Sequence, residues 1–257
     1  MKLSDKQSKW EIRQYVEELE FTEEDLIARV KDYLSHLPQK MYNADIIKND
    51  KRTKSKRRTN GYITADTQRT FCEVICETIL ASPFNVKEDP NCTYNKGSRE
   101  DKIAELKKKL INMSKMKEYY GEDETRMVHC LCVQKYISAY TTVDFQVPTT
   151  NGSSDKIDLI LEKDGIVYMT EVKKFNSDES LLRCVLEIQT YYQKLNKNFF
   201  SKYKCTEKTL KKAILIDENS FAHKQLNLQW AQKLIHDERF GVEVLTLTKD
   251  DQGFYIK

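Results

Sequence analysis

The chain has 257 residues, with 43 lysines and arginines against 40 aspartates and glutamates and a net charge of +3. That length provides one large domain or two small ones with a real core, and a balanced 32% of charged residues beside 39% hydrophobic ones excludes a disordered polyelectrolyte. No run approaches the roughly 18 apolar residues of a membrane span, and Met1-Lys2-Leu3-Ser4-Asp5 opens no apolar signal segment, so the expected compartment is the cytoplasm and no membrane partner is expected.

Seven glycines and four prolines are about a third of average usage, which favours long helices. Ser4 can cap a helix through Leu19 that carries Trp10, Val16 and Leu19. Thr22 followed by Asp25 has the form of a capping box and opens a second helix with Leu26, Ile27, Val30 and Leu34, limited by Pro38. The stretch 48–58, KNDKRTKSKRR, has no apolar residue and runs into Asn60-Gly61, so it reads as an exposed loop. A helix over 66–81 would bury Phe71, Val74, Ile75 and Ile79. Another, opened by Ser98 and Asp101, carries Ile103, Leu106, Leu110 and Met113. Residues 1–120 are therefore expected to form a helical N-terminal region.

The pattern changes after Gly121, and residues 121–257 read as a second region. Glu122–Tyr140 has helical spacing, with Val128, Leu131 and Ile137 inward. Thr142–Val147 alternates as a half-buried strand. Lys156–Glu162 (KIDLILE) is a strand, Lys163-Asp164-Gly165 a tight turn, and Ile166–Lys173 (IVYMTEVK) the antiparallel partner. A helix over 178–197 follows, then a buried strand over 212–216, a helix through Trp230, Leu234 and Ile235, and a strand over 242–247. The order α-β-β-β-α-β predicts an α/β (α+β) fold, a mixed sheet flanked by helices.

Near-neutral net charge hides clusters. Residues 48–58 hold seven basic side chains and one acid, 194–212 hold seven lysines and one glutamate, and 94–119 hold eight bases against four acids. Three such clusters point to a polyanion, since phosphates are held mainly by Lys and Arg. The expected nucleic-acid grip is Lys51, Arg52, Lys54, Lys56, Arg57 and Arg58 on one side, with Lys194 and Lys197 on the other. The seven cysteines include no CxxC pair and the four histidines no HxH or HExxH spacing, so zinc is not expected and the cysteines read as reduced, small apolar residues.

The chemistry concentrates on the central hairpin. Asp158 lies in an apolar strand, and period-2 alternation puts Glu171 and Lys173 on one face of the next while Val172 faces the other way. The short turn returns the second strand alongside the first, so Asp158 can meet the Glu171–Lys173 pair. Burying two carboxylates without compensation is costly; a divalent cation would neutralise both, and Mg²⁺ favours one or two carboxylates with waters and phosphate oxygens.

This Asp-x12-Glu-x-Lys constellation on a hairpin between two helices resembles the PD-(D/E)XK nuclease superfamily, over about residues 122–216. The resemblance implies a restriction-endonuclease-like αβββαβ core and a Mg²⁺-dependent nuclease, with Mn²⁺ as substitute. It assigns metal binding to Asp158, Glu171 and the backbone carbonyl of Val172, and positioning or activation of the attacking water to Lys173. A glutamate early in the preceding helix would join them, Glu124 or alternatively Glu122. The following helix would add Gln189, with Tyr192. The gap between those two is three residues, against four in the nuclease domains of recombination helicases, and the cysteine spacing does not support the iron–sulfur cluster some of those domains carry. No proline precedes Asp158. The implied activity is phosphodiester hydrolysis by a DNA endonuclease of restriction, phage-defence or repair type, DNA being favoured over RNA and a homodimer fitting duplex cutting. The competing readings are a non-catalytic nucleic-acid-binding protein or regulatory subunit on the same fold, and a helical interaction protein acting through residues 1–120.

Overall fold

The computed structural model describes residues 21–48, 62–88, 90–94, 101–106, 124–134, 136–151, 155–251 and 253–257. The expected helix over 4–19 and the basic residues Lys51, Arg52, Lys54, Lys56, Arg57 and Arg58 lie outside them, as does Glu122.

Helix α1, Glu23–His36, starts at a reciprocal capping box. The Thr22 hydroxyl accepts the Asp25 N–H while the Asp25 carboxylate accepts that of Thr22. Its core face is Leu26 and Val30, both fully buried. Pro38 then opens a short 3-10 helix, Pro38–Asn43, followed by α2, Asp45–Lys48. Helix α3, Phe71–Leu80, begins five residues later than expected, with Thr70 as its cap. The preceding residues fold back on themselves instead, through an isolated bridge between Ile63 and Thr70. A helical segment over 101–106 buries Ile103 and Leu106.

Helix α4, Glu124–Gln134, is shorter than the expected 122–140. The residues after it are aromatic and β-branched and form strands: β1, Tyr136–Ile137, turns back through Ser138 (φ 55°) into β2, Tyr140–Pro148. Strands β3, Lys156–Lys163, and β4, Ile166–Val172, follow as expected. Asp164 and Gly165 join them with φ of 51° and 75°, the paired positive values of a type I′ turn, whose twist matches that of the strands. Helix α5, Leu181–Gln193, is capped by Ser180, and the expected continuation to 197 is instead a new helix, α6, Lys197–Tyr203, capped by Asn196. Strand β5, Leu210–Ile216, comes next, then α7, Phe221–Gln225, α8, Gln229–His236, and the strands β6, Glu243–Asp250, and β7, Gly253–Ile256.

The molecule is mixed α/β: one seven-stranded sheet in the order β1 to β7, flanked by helices. Strands β1 to β4 form an antiparallel meander, β5 and β6 run parallel to β4, and β7 is antiparallel to β6. One face supplies Ile160, Met169, Ile214 and Ile216 to a core shared with α5 and with Leu26, Val30, Ile75 and Ile79 of the N-terminal helices. The other supplies Leu159, Leu161, Tyr168 and Leu215 to a core with α4. The sheet curls until its outer strands approach, making a nearly closed barrel. The Ser138 hydroxyl accepts the Ile256 N–H and donates to the Ile256 oxygen, both at 2.9 Å. No helix among the described residues is long and apolar enough to cross a membrane.

Candidate metal centre

The register of the central hairpin decides which side chains meet. Leu159 pairs with Thr170, so one step further along both strands Asp158 lies opposite Glu171. Cross-strand partners share a face, and here it is the α5 face, to which Lys173 also returns. Ligand oxygens of Glu124, Asp158 and Glu171 lie within 4.8 Å of one another. Glu124 reaches the group from the first turn of α4. Its side chain is 37% exposed whereas that of Glu171 is 4% exposed, so the centre opens to solvent on the Glu124 side.

Lys173 is the hub. Its Nζ stands 2.6 Å from Glu171, 3.1 Å from Glu187, 3.3 Å from Glu179 and 3.5 Å from Glu124. Burial by itself would lower the ammonium's pKa; the carboxylates of Glu171, Glu187, Glu124 and Glu179 outweigh it and hold it well above the lysine range. The carboxyl pKa values of Asp158, Glu171 and Glu124 are raised as well. Burial pushes Asp158 up to about 7 against the pull of Lys173, and Glu124 adds to the rise. Burial and the neighbouring Asp158 and Glu187 push Glu171 well above the usual carboxylate range. Burial also raises Glu124. Five carboxyl groups thus surround one lysine, with Arg183 pairing with Glu179.

Asp158 is held by both oxygens. Its Oδ2 accepts the Val172 N–H at 2.9 Å and its Oδ1 accepts the Gln146 side-chain N–H at 3.1 Å. Each carboxylate oxygen keeps a second acceptor position. Glu171 Oε2 is buried and has no hydrogen-bond partner among the described residues, a state that ordinarily costs about 1–3 kcal/mol or more. A cation would supply that partner and the missing positive charge. Adjacent oxygens on one Mg²⁺ are about 3 Å apart, so carboxylate oxygens now spread over as much as 4.8 Å would draw together by up to about 2 Å around a cation. The donor set, all carboxylate oxygen, fits a hard divalent cation and not a thiophilic one. The seven cysteines are all buried, and none is joined in a disulfide among the described residues.

The expected site residues fall into three groups. Asp158, Glu171, Lys173 and Glu124 come together. Val172 enters through its N–H, and its side chain packs in the core on the α4 face. Gln189 does not join them: its Oε1 accepts Lys212 Nζ at 2.6 Å. Residues two apart on a helix point about 200° apart, and it is Glu187 that α5 sends to Lys173, with the Tyr191 hydroxyl donating to its other oxygen at 3.2 Å. Lys194 is not an open phosphate-binding lysine either; it is 8% exposed and pairs with Asp155 at 2.8 Å. Lys197, the first residue of α6, is exposed. In the same basic run Lys202 pairs with Asp144 and Lys211 with Glu243.

The sequence reading missed Glu179, Glu187 and Gln146. Glu187 left a signal: it is the sole acid of α5, set in an otherwise apolar stripe. Gln146 left none. It lies opposite Asp158 in β2 with φ of 49°, a left-handed conformation that costs a non-glycine residue roughly 1–2 kcal/mol. Comparison with protein-family models, with curated proteins and with solved structures finds no match for this chain.

Proposed function

We propose that the chain is a divalent-cation-dependent nuclease whose centre is Glu124, Asp158, Glu171 and Lys173. The observation that carries this reading is the convergence of three carboxylates within 4.8 Å around a lysine whose Nζ lies 2.6 Å from Glu171. The order α4, β2 to β4, α5, β5 supports a restriction-endonuclease-like core, to which β1, β6 and β7 add the outer strands of the curled sheet.

Asp158, Glu171 and Glu124 would hold the cation, Mg²⁺ first and Mn²⁺ as its substitute. When bound, it would lower the pKa of a coordinated water and neutralise charge developing on the scissile phosphate. The chain's own contribution is placement. Val172 N–H and Gln146 fix the Asp158 carboxylate, and Glu187 and Glu179 fix the Lys173 ammonium beside Glu171. That ammonium stays charged at neutral pH and is positioned to stabilise a hydroxide or the phosphoryl oxyanion electrostatically. The exposed side of Glu124 is the approach for a backbone phosphate. DNA is the substrate class favoured by the resemblance, and Lys197 is the exposed basic residue of the expected grip among the described residues.

The test is incubation of supercoiled, linear and single-stranded DNA, and of RNA, with the purified chain in Mg²⁺, Mn²⁺ or EDTA. Metal-dependent cleavage lost in Lys173→Ala and Glu171→Gln supports the proposal. Cleavage that persists unchanged in Lys173→Ala refutes the role given to that lysine. Salt-sensitive nucleic-acid binding without cleavage in any metal would move the chain to the non-catalytic reading.

A further inference from the structure

A second site lies two residues back along the same sheet face. Strand β5 carries adjacent lysines pointing to opposite sides. Lys211 turns outward and pairs with Glu243. Lys212 turns inward beside Met169, its partner in β4, and is 8% exposed. Its Nζ donates to Gln189 Oε1 at 2.6 Å and to the Arg239 main-chain oxygen at 2.8 Å, and stands 5.0 Å from the centre of the Tyr192 ring. Two neutral oxygens and an aromatic face solvate the ammonium. They provide no counter-charge, and no carboxylate pairs with it among the described residues. A buried, unpaired charge is among the costlier features a fold can carry. Burial correspondingly pushes the Lys212 ammonium down to about 8, in spite of Asp237.

Lys212 is also not sealed in. It lines a cavity of about 730 Å³ between α5, β5 and α8, a size that suits a small organic ligand. The walls combine apolar side chains, including Tyr192, Leu226, Ile235 and Val242, with the polar Gln232 and His236. Other cations on the wall are already matched: Lys211 with Glu243 and Arg239 with Asp237. Glu207 and Glu238 stand exposed at the rim and would repel a highly charged polyanion. One unmatched ammonium, apolar and aromatic wall groups and an acidic rim together select a ligand with a single negative charge and an apolar body.

We propose that this cavity binds a small organic carboxylate, its oxygens paired with Lys212 Nζ and its apolar body against Tyr192 and Ile235. The site is separate from the metal centre: Gln189 and Tyr192 of α5 serve Lys212, while Glu187 and Tyr191 serve Lys173. Binding would supply the counterion that the protein itself withholds.

The experiment is titration of the full chain with benzoate and indole-3-acetate, followed by calorimetry and by side-chain NMR, with benzamide as the neutral isostere and phenyl phosphate as the doubly charged one. Saturable binding of a carboxylate that weakens at least about tenfold in Lys212→Met, with benzamide silent, supports the proposal. Lys212→Gln, which keeps a donor but no charge, should lose binding equally while unfolding no more easily than the wild type. A second readout is acetylation by acetic anhydride in the wild type: benzoate should slow modification of Lys212 and leave the exposed Lys208 unchanged. Equal affinity of wild type and Lys212→Met, or of benzoate and benzamide, would make the cavity merely apolar and overturn the proposal. Tighter binding of phenyl phosphate than of either carboxylate would overturn the choice of carboxylate. No saturation by about 10 mM, where binding energy falls below about 3 kcal/mol, would overturn the site itself.

Discussion

Replacing Asp158 with Asn should make the metal-free protein more stable at mildly alkaline pH, although it removes a proposed ligand. Asp158 sits opposite Glu171 in a buried cluster, and its carboxyl is raised from 3.8 to about 7, chiefly by burial. Because the folded value lies above the unfolded one, folding favours the protonated form. That contribution is complete below about pH 4 and is lost as the pH rises through about 7. Moving the carboxyl that far corresponds to on the order of 4 kcal/mol of penalty once the group is forced to ionise. Asn carries no charge at any pH and can still accept the Val172 N–H through its oxygen, with its NH₂ turned to a flipped Gln146 amide. Asp158→Asn should therefore lose stability less steeply than the wild type between about pH 5 and pH 8 in EDTA, with a gain of a few kcal/mol at the upper end. For a chain of this length that is roughly 5–15 °C in Tm. Urea unfolding at the two pH values, with and without Mg²⁺, is the assay. Mg²⁺ should stabilise the wild type at about pH 8 and leave Asp158→Asn nearly unmoved. Were the variant no more stable than the wild type in EDTA at that pH, the electrostatic account of the cluster would be wrong.

Lys173→Met removes the cation shared by Glu171, Glu187, Glu179 and Glu124, so the metal-free protein should lose about 3–5 kcal/mol in denaturant unfolding; a loss below about 1 kcal/mol would mean the lysine is not the hub. At Gln146, with φ of 49°, Gln146→Gly should be about 1 kcal/mol more stable than Gln146→Ala. Both should weaken Mn²⁺ affinity several-fold by freeing Asp158 Oδ1, which calorimetry can read. Asp144 accepts from Lys202 at 2.8 Å, from the Tyr203 hydroxyl at 2.9 Å and from Lys102. Its carboxyl is buried yet held below the usual range by the two lysines. Asp144→Asn should cost about 3 kcal/mol or more at neutral pH, and the difference from wild type should shrink as the pH falls below the normal aspartate range.

The parts of the fold that could be read in the sequence are those dictated by neighbouring residues. Thr22 and Asp25 announce a capping box because both hydrogen bonds are made within one turn. Asp164-Gly165 announces a tight hairpin because both residues tolerate positive φ. Given that turn, simple alternation was enough to place Asp158, Glu171 and Lys173 on one face. Where the sequence misled, a local preference lost to a competing one. Helical spacing ran through Ile137, but Tyr136–Ile137 found a strand partner in β2. The stripe of α5 ran past Leu195, but Asn196 could cap a new helix.

The remainder of the site is tertiary. Glu187 and the neighbouring Glu179 reach Lys173 only because α5 packs across the hairpin, and Glu124 only because α4 begins beside it. Gln189 carried a motif-like position yet was claimed by Lys212, a partner 23 residues away along the chain that no spacing rule ties to it. Gln146 gives no signal at all, since its unusual backbone conformation is imposed by the fold around it.

The proposed nuclease centre requires a cation held by Glu124, Asp158 and Glu171. Mn²⁺ titration of the wild type followed by calorimetry and electron paramagnetic resonance, with competition by Mg²⁺, measures it directly. The expected result is saturable binding at this centre that releases protons near neutral pH, weakens as the pH falls through 7, and disappears in Glu171→Gln. Absence of saturable binding at millimolar Mn²⁺, or binding that Glu171→Gln leaves intact, would contradict it.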